Sequence, residues 1–357
     1  MFNFFIEYQE YIYTFLISIF LLVTINLLRN NFEIFNETPS IEYRKIHEIR
    51  VTRIGGLSLI SFFISINFIE YYPSLKAFFF SCFIIFVIGF IEDISKNITY
   101  LTRFLFLITI IFFLTFYTQD FRIASLEYNN YFIIDNYIFL AIFSFFGILF
   151  CINGSNFIDG LNGLTLGSSI IIFMNYIYLS AGNSDIIFII SLTACISIVP
   201  LFAINILTGT ILAGDSGSYL VGFIYGCIGI LIYNSGIISA FHVACILFYP
   251  TTELVFTFFR RISAKKNPFK PDHFHLHTML FLTFNHYLKY KGIFLQKTTV
   301  NSLTSLMILT MLIIANISFT FLISENHFLV FYFMLNVAYF LLYFLLKINF
   351  HKMITNY

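Results

Sequence analysis

Residues 153–167, NGSNFIDGLNGLTLG, hold the densest group of side chains that could do chemistry. Asn153, Asn156, Asp159 and Asn162 fall at every third position, with Gly154, Gly160 and Gly163 among them. A three-residue step on a helix or tight turn puts neighbours on adjacent parts of one face. Glycine lets the backbone bend and lets a ligand approach it. The stretch reads as one wall of a polar site at a membrane surface. The plainer alternative is a hydrophilic loop between two spanning helices.

Four further clusters carry chemistry of the same kind. Glu92 and Asp93 close an apolar run; adjacent acids there orient Mg²⁺-bound phosphates or accept a proton, or else form a solvated helix end. Asp215, in LAGDSGSYLVG (212–222), is either a hard oxygen ligand for Mg²⁺ or a cap on the following helix. His273, His275 and His277 alternate in RRISAKKNPFKPDHFHLHTML (260–280). Anion contact, a solvated loop and a zinc site are the three readings of that pattern, zinc being the weakest because no cysteine lies close in sequence. Arg44, Lys45, His47, Arg50 and Arg53, in RKIHEIRVTRIGG (44–56), suit a phosphate or the headgroups of an anionic leaflet. Gly222 and Gly226 form a small-residue pair better suited to helix packing than to a site.

The elements that must position these residues are membrane helices. The chain of 357 residues is 59% hydrophobic and 10% charged, with a mean hydropathy of +0.89. Soluble domains carry roughly 25% charge, so the composition fits an all-α, polytopic transmembrane bundle. Apolar stretches long enough to cross a hydrocarbon core predict about eleven spans. They are 9–28, 54–72, 76–92, 100–118, 136–153, 163–181, 185–206, 217–234, 237–259, 300–323 and 327–348, with a short surface helix near 283–297. Glu7 and Glu10 precede the first span where a cleaved leader would have basic residues. The five cysteines sit in or at the ends of apolar spans and read as small apolar residues rather than a disulfide network. The net charge of +1 gives no sign of nucleic-acid binding.

Alternating the inter-span segments puts 17 of the 19 basic residues on one side, leaving Lys76 and Arg122 on the other. The positive-inside rule then places the N-terminus outside and the C-terminus in the cytoplasm. All five polar clusters fall on the cytoplasmic side, which predicts one composite site built from distant parts of a single domain, 1–357.

In order and content these clusters resemble the polyprenyl-phosphate N-acetylaminosugar-1-phosphate transferases. These include the undecaprenyl-phosphate GlcNAc-1-phosphate transferases and their cousin, phospho-MurNAc-pentapeptide translocase. The resemblance covers about residues 39–280. It rests on Arg44, Lys45, His47, Arg53, Gly55 and Gly56; on Glu92–Asp93 with Arg103; on Asn153 to Leu164; on Gly214 to Gly222; and on Arg260–Arg261 with Pro268 to His277. Glu92, Asn162, Glu253 and Thr278 depart from the residues common in that family.

The resemblance implies transfer of a sugar 1-phosphate from a UDP-activated amino sugar to undecaprenyl phosphate, with release of UMP. The implied setting is the cytoplasmic face of a bacterial inner membrane, in lipid-linked glycan synthesis for O-antigen or another envelope polysaccharide. It further implies Mg²⁺, with Mn²⁺ as a substitute, held by Asp215 with Asn156. Asp159 would lie near the metal, and Asp93 with Glu92 would handle the lipid phosphate or its proton. Leu161 and Asn162 would face the nucleotide, and Asn153 would bind substrate. Arg44, Lys45, His47, Arg53, His275 and His277 would contact phosphates. Membrane lipids are partners, and a homodimer is compatible with the sequence. The competing classes are a transporter or flippase of lipid-linked sugars and a weakly active lipid-binding relative.

Overall fold

The computed structural model describes residues 2–29, 36–37, 51–71, 73–95, 99–128, 132–267 and 274–355. Its elements are almost all helical, as an apolar chain in lipid requires, because a helix satisfies every backbone N–H and C=O within the segment. In chain order come α1 (Phe2–Leu28), a 3₁₀ helix (Ile54–Tyr71), α2 (Pro73–Ile94), α3 (Tyr100–Tyr117), α4 (Tyr137–Phe157) and α5 (Leu164–Ser180). Then follow α6 (Asp185–Thr208), α7 (Gly214–Asn234), α8 (Ala240–Ile246), α9 (Phe248–Ser263), α10 (Leu276–Tyr290), α11 (Lys297–Leu322) and α12 (Phe328–Thr355).

Ten of the eleven expected spans each fall on one helical element and the other, 237–259, falls on two, α8 and α9; the surface helix expected near 283–297 lies earlier, as α10. Among the described residues seven helices are individually long and apolar enough to cross a membrane, and the α8–α9 pair makes an eighth if its 82° break lies within one span. Leu101–Tyr117 and Leu164–Ser180 are shorter apolar helices. At 1.5 Å per residue, 17 residues reach about 26 Å, just under the ~30 Å hydrocarbon core. The 3₁₀ helix rises faster, about 2.0 Å per residue, so its 18 residues extend roughly 36 Å. The α8–α9 break has a local cause. Pro250 lies in the first turn of α9 and has no N–H to continue α8 into it.

The helix at the centre is α7. Of its apolar window, 89% is buried inside the protein, against 22% for α1 and 17% for α12. α7 therefore faces protein on all sides, while α1 and α12 turn most of their surface outward. It packs on α2, α4, α5, α6 and the 3₁₀ helix. Gly222 and Gly226 lie against the backbone and side chain of Cys151 on α4, which bears out the packing reading of that pair. Two small antiparallel strand pairs are found among the described residues. β1 (Asn36–Glu37) pairs antiparallel with β2 (Val51–Thr52), and β3 (Leu126–Tyr128) with β4 (Phe132–Ile134). All five cysteines are buried free thiols.

Candidate active site

The site is built on the first turn of α7. Just before it, residues 52–56 run beside 210–213 as a backbone ladder. Thr52 N–H donates to Thr210 O, Leu212 N–H to Thr52 O, Gly55 N–H to Leu212 O and Gly56 N–H to Ala213 O. The basic-loop motif and the GDSGS motif, some 160 positions apart in sequence, thereby become one surface. Gly214 makes the turn into the helix with φ +71°, and a methyl there would overlap both the Arg53 carbonyl and the Asp93 carboxylate. Only glycine combines that conformation with that approach.

Asp93 reaches α7 from the end of α2. Its Oδ1 accepts the Asp215 N–H at 2.8 Å, and its Oδ2 accepts the Ser216 N–H at 2.9 Å and the Ser216 hydroxyl at 2.6 Å. It caps α7 from another helix, satisfying N–H groups that the first turn leaves without intrahelical partners. Glu92 binds Arg103 of α3 through Oε1 and accepts from the Tyr219 hydroxyl of α7 through Oε2, at 3.2 Å. Arg103 also lies over the Tyr219 ring, 5.7 Å from its centre.

Asp215 is half-buried on the open side of the same turn. The Asn156 amide, from the end of α4, donates to Asp215 Oδ1 and lies 3.2 Å from Ser218 Oγ. Asp159 follows in the turn between α4 and α5, hydrogen-bonded to the Thr165 hydroxyl. Burial pushes its carboxyl up to about 7; the Asp215 charge adds to the rise, while Thr165 and Arg53 oppose it. Asp93, Asn156, Asp159, Asp215 and Arg53 are thus brought together around this turn.

Other expected site residues are placed differently. Asn153 turns back on its own helix, its amide donating to Leu149 O at 2.9 Å. Leu161, 3% exposed, belongs to an apolar cluster with Leu276, Met279 and Val300. The buried Asn162 side chain points at α11, its amide reaching Ser302 Oγ at 3.2 Å and its N–H donating to Asn301 Oδ1 at 2.6 Å. The contact with uridine expected of Leu161 and Asn162 is therefore not the arrangement seen; burial gives them a bracing position instead. Arg44, Lys45, His47 and His273 lie outside the described residues.

The histidine segment docks on this loop. His277 Nε2 presses on Gly160, where any side chain would overlap the ring. Its imidazole is buried, and burial, with a smaller contribution from the His275 charge, pulls its pKa down to about 3 against the pull of Glu253. His277 is a neutral packing group at pH 7 rather than the phosphate-binding cation expected. His275, on the rim, contacts the ring of Phe157 edge-on.

One residue that the sequence reading passed over ties the two loops together. Asn205, buried near the end of α6, accepts the Gly163 N–H on its Oδ1 and donates from Nδ2 to Ile211 O at 2.7 Å. Its signal was present as a lone amide inside an apolar span, since polar groups at such places are expensive and functional.

An apolar groove runs along α4, lined by α7, α8 and the β3–β4 hairpin at one end and by α9 and α12 at the other. Its two adjoining cavities, of about 420 and 670 Å³, share Phe143, Gly147, Phe150, Thr251 and Tyr332. One turn beyond Phe150, Gly154 packs on Pro250, so the groove ends near the polar residues of α4.

Among the described residues no three Asp, Glu, His or Cys side chains form a ready-made metal cage. The donors at hand are the Asp215 carboxylate and the Asn156 amide. That sparse set fits Mg²⁺, which usually takes one or two carboxylates and completes its shell with substrate phosphates and water.

Residues 75–233, from α2 through α7, match glycosyl transferase family 4. The chain is 26% identical over 262 residues to the undecaprenyl-phosphate alpha-N-acetylglucosaminyl 1-phosphate transferase of Thermotoga maritima, covering 73% of the chain and 78% of the relative. It is also 26% identical over 257 residues to the probable undecaprenyl-phosphate N-acetylglucosaminyl 1-phosphate transferase of Bacillus subtilis, covering 66% and 67%. Against the decaprenyl-phosphate N-acetylglucosaminephosphotransferase of Mycobacterium leprae, identity is 32% over 151 residues, only 36% and 38% of the two chains. The described parts of the motifs that suggested the family, Arg53 to Gly56, Glu92–Asp93, Asn153 to Leu164 and Gly214 to Gly222, lie in the segments assembled around α7.

Proposed function

We propose that the chain transfers a sugar 1-phosphate, from a UDP-activated N-acetylaminosugar such as UDP-GlcNAc, to undecaprenyl phosphate. An oxygen of the lipid phosphate bonds to the sugar-proximal phosphorus. The bond from that phosphorus to the UMP oxygen breaks, UMP leaves with the electron pair, and a polyprenyl diphosphate–sugar remains. The observation that carries this reading is the meeting of Asp215, Asn156 and Asp159 on the first turn of α7, next to an apolar groove suited to a prenyl tail. The relatives' names, each pairing a polyprenyl phosphate with GlcNAc phosphate transfer, support the same substrates.

Asp215, with Asn156, would hold Mg²⁺ or Mn²⁺, which when bound neutralises charge on the donor diphosphate. Asp93 acts by holding the first turn of α7, because both of its oxygens already accept hydrogen bonds there. Asp159, poised near neutrality and a few residues from Asn156, suits uptake of a proton from the acceptor phosphate. Arg53, together with Arg44, Lys45 and His47, supplies positive charge for the phosphates. Glu92 and Arg103 fix α2 to α3 and α7 behind them.

We place the N-terminus outside and the C-terminus in the cytoplasm, with eleven passes and the reaction at the inner face of a bacterial plasma membrane. The distribution of Lys and Arg supports this orientation. The product would start a lipid-linked glycan for the cell envelope. Mass spectrometry of the lipid product, made by purified protein from a panel of UDP-amino sugars with and without EDTA, tests the reading. The expected result is UMP and a polyprenyl diphosphate–sugar, both lost with EDTA. Movement of lipid-linked sugar across vesicles without UMP release would replace the transferase with a flippase.

A further inference from the structure

Glu253 is a fully buried carboxylate on α9, one turn past the break from α8. A carboxylate so placed is costly unless it is paired and hydrogen-bonded. Every partner seen around it serves one purpose. Oε1 accepts from His275 Nδ1 at 3.0 Å and from the Leu276 N–H at 3.3 Å, which starts α10. Oε2 accepts from the Tyr339 hydroxyl at 2.6 Å, and Tyr339 comes from α12, the last helix of the chain.

The His275 ring is held on its other sides as well. It meets Phe157 edge-on, with centres 5.5 Å apart, and stacks on His277 at 5.4 Å and 18°. Phe157 directly follows Asn156, the residue bonded to Asp215. An ionised carboxylate facing Nδ1 fixes the proton on that nitrogen and directs Nε2, on the opposite edge of the ring, away from α9. A side chain with two rotatable bonds is thereby reduced to one orientation beside the α4 end of the site.

We propose that Glu253, itself steadied by Tyr339, is a positioning residue that acts through His275, presenting its Nε2 to a phosphoryl oxygen of the bound substrate. This rests on the transferase reading. It gives α12 a share in the reaction although no motif lies on that helix, and it assigns a role to the buried Glu253.

The test is steady-state UMP release by full-length protein with UDP-GlcNAc and undecaprenyl phosphate. The variants are Glu253→Gln, Glu253→Asp, Tyr339→Phe, His275→Ala and the Glu253→Gln/His275→Ala double. Glu253→Gln is expected to lower kcat about 10–100-fold, as loss of an imidazole's outer hydrogen-bond partner does elsewhere. Glu253→Asp restores most of that loss, Tyr339→Phe gives a smaller drop, and the double variant is no slower than His275→Ala alone. Losses that multiply in the double variant, or a Glu253→Gln enzyme with wild-type kcat, overturn the proposal while leaving the transferase reading standing. If Glu253→Gln does not fold, Tyr339→Phe alone decides, and a wild-type rate there overturns it. A wild-type protein that releases no UMP from any UDP-sugar removes the transferase reading and this proposal with it.

Discussion

At the scale of single residues, the site separates carboxylates that hold the frame from carboxylates exposed to chemistry. Asp93 spends both oxygens on the N–H groups of Asp215 and Ser216, whereas Asp159 is half-buried and its carboxyl is pushed up to about 7. The two should therefore respond differently to change. Because the Asp159 pKa is raised, its ionised fraction grows as pH rises through about 7. UMP release should climb over the same interval, and a pH–rate profile of Asp159→Asn should lose that ascending limb. For stability the sign is opposite: the folded protein holds this proton more tightly than the unfolded chain, so Asp159 contributes stability at low pH that is lost as pH rises towards 7. The acidic residues were legible in the sequence because charge is rare in so apolar a chain. Their division of labour was not, since Asp93 and Asp215 are separated by more than a hundred residues and only the docking of α2 on α7 reveals which one is the cap.

At the scale of elements, the account depends on how firmly α7 and α10 are seated. Replacing Asp93 by Ala removes acceptors from two backbone N–H groups and should cost about 1–2 kcal/mol, the usual loss for a helix cap. Thermal unfolding in detergent would register it as a lower midpoint; an unchanged midpoint with lost activity would return Asp93 to a direct chemical role. His277 makes the contact between α10 and Gly160 sensitive to acid. Its pKa is about 3 in the fold, so below pH 6.5 the unfolded chain binds a proton that the folded chain refuses. Stability should fall as pH drops from 6.5 towards 3, by at most about 1.4 kcal/mol per pH unit for this one proton. Unfolding midpoints of wild type and His277→Asn across that range would show a shallower slope for the variant. The histidine motif was plain in the sequence, but spacing alone did not tell a buried imidazole from a ligand-facing one. The same holds for Asn162, whose place in the three-residue series put it with the site while packing turned it towards α11.

At the scale of the whole molecule, hydropathy located every helix that now surrounds the site, because lipid leaves a chain few alternatives to helix. It did not show that one expected span is two helices meeting at 82°, nor that the 119–135 loop holds the β3–β4 hairpin. The orientation supported by Lys and Arg is open to direct test with impermeant thiol labelling of single cysteines on a cysteine-free background. A cysteine in the 119–135 loop should label from outside, and one near Lys265 only after the membrane is opened; the reverse would put the site in the wrong compartment. The central claim is that distant carboxylates and amides meet on the first turn of α7 to act on a phosphate-linked donor. UMP release from a UDP-amino sugar in the presence of undecaprenyl phosphate, compared between wild type and a folded Asp215→Asn variant, tests it most directly. The account predicts a loss on the order of 10²-fold or more, the scale seen when a group stabilising transition-state charge is removed. An Asp215→Asn protein that releases UMP at the wild-type rate would contradict it.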